Sequence, residues 1–133
     1  MQVVIDSNLL FRMLISQGEI ILLFFDARLE IFAPIKLKEE FSKHRQELIT
    51  KSGLLEESFD ELAEILFKRI SFISALEYLP YLGEARELLK GHKKDEDFLA
   101  LALSKNCKIW TYESRFFTIG YAVSTKELAN SLA

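Results

Sequence analysis

Four carboxylates stand where the character of the chain changes. Asp6 ends the apolar run VVID, Glu40 lies in KLKEEF, Asp95 opens DEDFLALAL, and Glu113 follows KIWTY. Carboxylates drawn together in space raise one another's pKa and persist as a group only with cations to neutralise them. A donor set made of oxygens alone selects hard divalent ions, Mg²⁺ or Mn²⁺, which keep several waters and share carboxylate sites with substrate phosphates. Zinc does not suit the chain, whose two histidines and single cysteine are scattered without ligand spacing. The chemistry within reach is metal-assisted attack of water on a phosphate ester.

Each acid alone also has an ordinary explanation. Asp6, Ser7 and Asn8 suit a turn after a strand, because their side chains bond the nearby backbone. Glu39 and Glu40 suit a solvated helix face, and Asp95 and Asp97 suit a helix start, where the dipole stabilises negative charge. Whether the four acids work together depends on the elements that carry them.

Val3–Ile5 reads as a short buried strand, and Leu9–Ile15 as a helix broken by Gly18. Glu19–Ala27 suits a second apolar helix, and LEIFAP a strand ended by Pro34. Leu37, Phe41, Leu48 and Ile49 recur near helical spacing, with Gly53 as a stop. Ser58, with Glu61 three residues on, predicts a capping box for the next helix. Phe72 and Ile73 read as extended, and Pro80 precedes a helix that ends near Gly91. A buried helix begins in DEDF, Lys108–Thr111 is the next strand, and Ala122–Ser124 the last, with Thr125 capping a terminal helix.

Strands alternating with helices predict an α/β fold, a parallel sheet with helices on both faces. Ligands of such sheets gather beyond the carboxyl ends of the strands. Asp6 and Glu113 both follow such ends. If their strands are neighbours the two side chains converge, and the helix that opens at Asp95 turns its amino end toward the same rim.

The chain of 133 residues, half of them hydrophobic, suits one domain spanning 1–133. Its net charge of −3 gives no global pull on nucleic acid, so any such contact must be local. Two basic clusters offer one: Lys36, Lys38, Lys43, His44 and Arg45, and Lys90, His92, Lys93 and Lys94. The apolar stretch Ile20–Phe25 is far shorter than the roughly 20 residues a membrane span needs. Met1 leads directly into a strand pattern without a basic segment, and Cys107 has no partner for a bridge, so the cytoplasm is the expected compartment.

VVIDSN at the start, the acid in PIKLKEEF, DEDFLALAL and IWTYESRF together resemble the PIN-domain ribonucleases, which include the VapC-like toxins of toxin–antitoxin pairs. The resemblance spans nearly the whole chain and is weakest between Thr50 and Leu89. It implies a Rossmann-like α/β/α sandwich with a central, mainly parallel sheet, and three or four acids holding Mg²⁺ or Mn²⁺. Carried over by position, the first acid is Asp6, supported by Ser7 and Asn8. The second is Glu40, with Glu39 the adjacent register, and the third Asp95, with Asp97 the competing position. In the family's Thr-x-Asp-x-x-Phe pattern Thr111, Glu113 and Phe116 match, with Glu113 in place of Asp. Arg115 stands where a further acid is common.

The implied activity is hydrolysis of single-stranded RNA. Asp6, Glu40 and Asp95 would hold metal, Glu113 would orient water, and Lys38, Lys43, Arg45, Lys93 and Lys94 would meet the RNA backbone. The implied partners are RNA, a cognate antitoxin and a second copy of the chain, with the apolar LLFFDA as one such surface, and no membrane. The substitutions at 113 and 115 leave a second reading, a PIN-like module that binds without cutting.

Overall fold

Short β-branched strands that are apolar on both faces must be covered on both. The computed structural model describes residues 1–133. It contains five such strands: β1 (Gln2–Ile5), β2 (Glu30–Pro34), β3 (Ile70–Ile73), β4 (Lys108–Trp110) and β5 (Ala122–Val123). They form one sheet in the order β3-β2-β1-β4-β5, and every pairing is parallel.

Parallel neighbours need crossovers, and helices supply them. α1 (Ser7–Ser16) and α2 (Ile20–Phe24) join β1 to β2, and α3 (Lys36–Ser52) and α4 (Glu56–Arg69) join β2 to β3. α5 (Ala75–Tyr78), α6 (Leu82–Leu89) and α7 (Glu96–Lys105), with 3-10 turns at Leu79–Tyr81 and Lys93–Asp95, carry the chain back to β4. α8 (Ser114–Thr118) leads to β5, and α9 (Thr125–Leu132) closes the chain.

The chain steps outward from β1 to β3 and then returns past β1 to β4. Right-handed crossovers therefore lay the first helices on one face of the sheet and α7 on the other. α1, α3 and α4 pack on one another, whereas α7 packs on β1, β2 and β4 with α5 and α6 against it. This is the expected α/β/α sandwich. Residues Phe98 to Ala102 are all buried, since α7 has protein on every side. A single cluster of 32 buried apolar residues, Trp110 among them, forms the core.

Strand order reverses between β1 and β4, which pair directly with Ile5 beside Trp110. The condition for Asp6 and Glu113 to converge is met.

Several local expectations are corrected. Ser58 does not cap α4: the helix starts at Glu56 after extended Leu55, which offers no side-chain cap. Glu56 and Glu57 in that first turn favour the dipole, and Phe59, Ala63 and Leu66 form the buried stripe that follows. Thr125 does not cap α9. Ser124 does, in a capping box with Glu127 at 3.0 Å in both directions, while Thr125 accepts the Trp110 indole N–H at 3.0 Å. α1 ends on left-handed Gln17 (φ 46°) before Gly18 is reached. The short helices α5 and α8 carry no apolar period long enough to announce them.

Candidate active site

Asp6 begins the site. It is the last residue before α1, whose first turn it caps by accepting the Leu9 amide on Oδ1 at 3.0 Å. Oδ2 accepts the hydroxyl of Thr111, the residue that follows β4. The turn role and the site role are thus one placement: capping fixes the carboxylate at the strand end, 4% exposed. Burial lifts its pKa to about 6, with Asp95 and Glu113 adding to the rise against the bonds from Thr111 and Leu9.

Around it opens a cleft of about 520 Å³ lined by Asp6, Ser7, Asn8, Phe11, Lys36, Glu39, Glu40, Lys43, His44, Lys94, Asp95, Phe98, Glu113 and Arg115. The four acids named from the sequence all reach it, each from a different element. Glu40 accepts the Ser7 hydroxyl and is half-buried, which raises its pKa, and Asp95 pushes the same way while Lys36, Lys94 and His44 oppose. Asp95 ends a 3-10 turn and receives the Arg115 guanidinium. Glu113 caps α8, its carboxylate accepting the Arg115 amide at 3.4 Å.

Asp97 is held elsewhere. Its Oδ2 accepts the hydroxyl of buried Tyr78 at 2.6 Å, and Oδ1 lies 3.8 Å from Lys36. Burial, with this bond, puts the Tyr78 phenol well above its usual pKa. Thr111 is fully buried and bonded to Asp6, and Asn8 stands in the cleft wall.

The basic residues divide. Lys43 and Lys94 line the cleft, joined by Lys36 and His44. Lys38 lies over the Phe72 ring at 4.4 Å, and Arg45 bridges α3 to Asp60 and Glu56 of α4 at 2.7 and 3.1 Å. Lys93 is outside the cleft lining. Helical phase explains the division, since Lys36, Glu39, Glu40 and Lys43 recur at the spacing of one face. That spacing is visible in KLKEEFSK and singles out Lys36 in place of Lys38.

As the side chains lie, no three carboxylate, imidazole or thiolate groups stand close enough to hold a metal together. Arg115 takes Asp95 and Ser7 takes Glu40. The donor set still fits a hard divalent cation: carboxylates with hydroxyl and amide oxygens beside them, no thiolate, and Asp6 and Glu40 buried enough to gain from a counter-ion. Asp6, Glu40 and Asp95 are the residues that would hold it once Asp95 is freed.

No helix is long and apolar enough to cross a membrane. In the LLFFDA segment Phe24 is buried, while Leu22 and Phe25 are 76% and 40% exposed.

Among curated proteins none matches the chain. Among solved structures it is similar to a chain in the crystal structure of VapBC2 from Rickettsia felis bound to a DNA fragment from their promoter. The two share 18% identity at a TM-score of 0.65, over 93% of this chain and 97% of that one. At that identity the likeness is one of fold, and it agrees with the parallel sheet and its helices. The model of the PIN domain matches residues 4–132, all but the ends of the sequence, and the chain belongs to the PIN-domain family of nucleases.

Proposed function

We propose that the protein is a metal-dependent endoribonuclease that hydrolyses phosphodiester bonds of single-stranded RNA. The observation that carries this reading is the arrival of Asp6, Glu40, Asp95 and Glu113 in one cleft where the strand order reverses. A bound Mg²⁺ or Mn²⁺ supplies acidity to a water and neutralises charge on the phosphate. Asp6, Glu40 and Asp95 would hold the ion, Thr111 and Ser7 hold Asp6 and Glu40 in place, and Glu113 would orient the water. Lys36, Lys43 and Lys94 offset the acids and bind the RNA backbone. Single-stranded RNA suits a site that reads accessible backbone and unstacked bases.

The VapBC2 neighbour supports a place in a toxin–antitoxin pair, with a cognate antitoxin that covers the nuclease. Leu22 and Phe25 offer apolar surface for that partner or for a second copy.

The Arg115 pair with Asp95 favours one second reading, a module that binds RNA or protein and no longer cuts. Cleavage of end-labelled single-stranded RNA in Mg²⁺, Mn²⁺ and EDTA, with Asp6→Asn alongside, decides between them. Metal-dependent cutting lost in the variant supports the nuclease. Folded protein that cuts no RNA in either metal supports the binding module.

A further inference from the structure

Arg115 stands among carboxylates that would otherwise face one another. Its Nη1 donates to Asp95 Oδ2, and the two side chains are 34% and 19% exposed. The segment that carries it is tied step by step. Thr111 Oγ1 donates to Asp6 and accepts the Glu113 amide at 2.8 Å, and the Glu113 carboxylate accepts the Arg115 amide. The backbone of Arg115 is therefore anchored to the acid cluster, and its long side chain reaches from that anchor to Asp95. Of the other cleft cations, Lys36 stands 3.8 Å from Asp97 and also acts on Glu40.

A guanidinium carries a fixed positive charge, so the pair neutralises Asp95 without a metal. The guanidinium also occupies one of the two Asp95 oxygens open to a divalent ion. Two cations cannot share that oxygen without strong mutual repulsion at such short range. Metal binding at Asp95 and the Arg115 pair therefore oppose each other. A displaced guanidinium has a ready alternative, because its fork matches a phosphate as well as a carboxylate.

We propose that Arg115 is a resident counter-ion: it pairs with Asp95 while the site lacks metal, and turns to the RNA phosphate once a divalent ion takes that carboxylate. The proposal rests on the metal-dependent reading above. Arg115 then weakens metal binding and strengthens RNA binding, opposite effects from one side chain. A residue that only braced α8 would do neither.

The test is a calorimetric titration of Mn²⁺ into the wild type, Arg115→Gln, Arg115→Lys and Asp6→Asn, with circular dichroism to show that each is folded. Arg115→Gln should bind Mn²⁺ about tenfold tighter than the wild type, while Arg115→Lys, which keeps the charge, stays near it. Fluorescence anisotropy of a labelled single-stranded RNA, in Ca²⁺ and in EDTA, supplies the second readout. Arg115→Gln should weaken binding of that RNA by a larger factor in Ca²⁺ than in EDTA, where the wild-type guanidinium is held by Asp95. Equal Mn²⁺ affinity in the wild type and Arg115→Gln, with binding lost in Asp6→Asn, overturns the counter-ion and leaves the metal site standing. Equal Mn²⁺ binding in the wild type and Asp6→Asn overturns both.

Discussion

Thr111 donates its hydroxyl to Asp6 Oδ2 across 105 residues of chain, and the same hydroxyl oxygen accepts the Glu113 amide at 2.8 Å. One side chain thus joins the ends of β1 and β4 at the reversal of strand order. Thr111→Val keeps the shape and removes both bonds, leaving a buried carboxylate oxygen and an amide without partners. The expected cost is about 1–3 kcal/mol in chemical denaturation. The Thr111 bond is also the largest influence lowering the Asp6 pKa, so its loss raises that pKa further and weakens Mn²⁺ binding at neutral pH. Thr111→Ser should restore both properties, and a serine variant that behaves like valine would disprove the role of the hydroxyl.

The burial of Asp6 makes metal-free stability depend on pH. The folded carboxyl titrates at about 6, against 3.8 for an ordinary aspartate. Between those values the folded chain keeps a proton that the unfolded chain has lost. Stability from this group therefore falls as pH rises from about 4 to about 6, by a total on the order of 3 kcal/mol, and is level above that. Asp6→Asn lacks the effect. In EDTA the melting temperature of the wild type should decline relative to Asp6→Asn over that window, and Mn²⁺ at pH 7 should raise the wild type alone. Parallel melting curves from pH 4 to 7 would contradict the assignment.

The acids were legible because a parallel sheet delivers the ends of its strands to one rim, so Asp6 after VVI and Glu113 after KIWTY needed only β1 and β4 as neighbours. Asp95 followed from the start of a buried helix. The Arg115 pair was not legible, since position 115 lies on a helix of five residues with no period of its own and meets Asp95 across the rim. Lys38 and Arg45 show a different shortfall. They share a segment with the cleft lysines, but clustering in sequence says less than helical phase, which turns Lys38 to Phe72 and Arg45 to α4. The Ser58 cap failed because the helix is already running there: it starts at Glu56, two residues earlier, after extended Leu55.

Arg69, the last residue of α4, carries a structural load that no motif announced. Its guanidinium donates to the carbonyls of Phe24, Asp26 and Leu29 at 3.2, 2.7 and 2.6 Å, closing the turn between α2 and β2. Hydrogen bonds from a charged donor contribute more than neutral ones, so Arg69→Met should lower stability by roughly 2–4 kcal/mol. The residue lies outside the cleft lining, and RNA cleavage per folded molecule well below melting should match the wild type. An unchanged denaturation midpoint would show that those carbonyls are satisfied without it.

Asp95 lines the cleft while Asp97 is bonded to Tyr78, and paired substitutions test which of the two serves the site. Asp95→Asn removes a charged oxygen from the cleft and the partner of Arg115. It should abolish Mn²⁺ binding and cleavage while stability changes little, because the metal-free site also loses the repulsion that Asp95 exerts on Asp6 and Glu40. Asp97→Ala leaves the cleft acids in place and strands the hydroxyl of Tyr78, a residue only 1% exposed. The expected loss is about 1–3 kcal/mol of stability. Cleavage should survive at temperatures where the variant is folded. Removing the hydroxyl as well, in Asp97→Ala with Tyr78→Phe, should recover part of the stability, since both members of the bond are then absent. The reverse pattern, with activity lost in Asp97→Ala and kept in Asp95→Asn, would move the third acid of the site to Asp97.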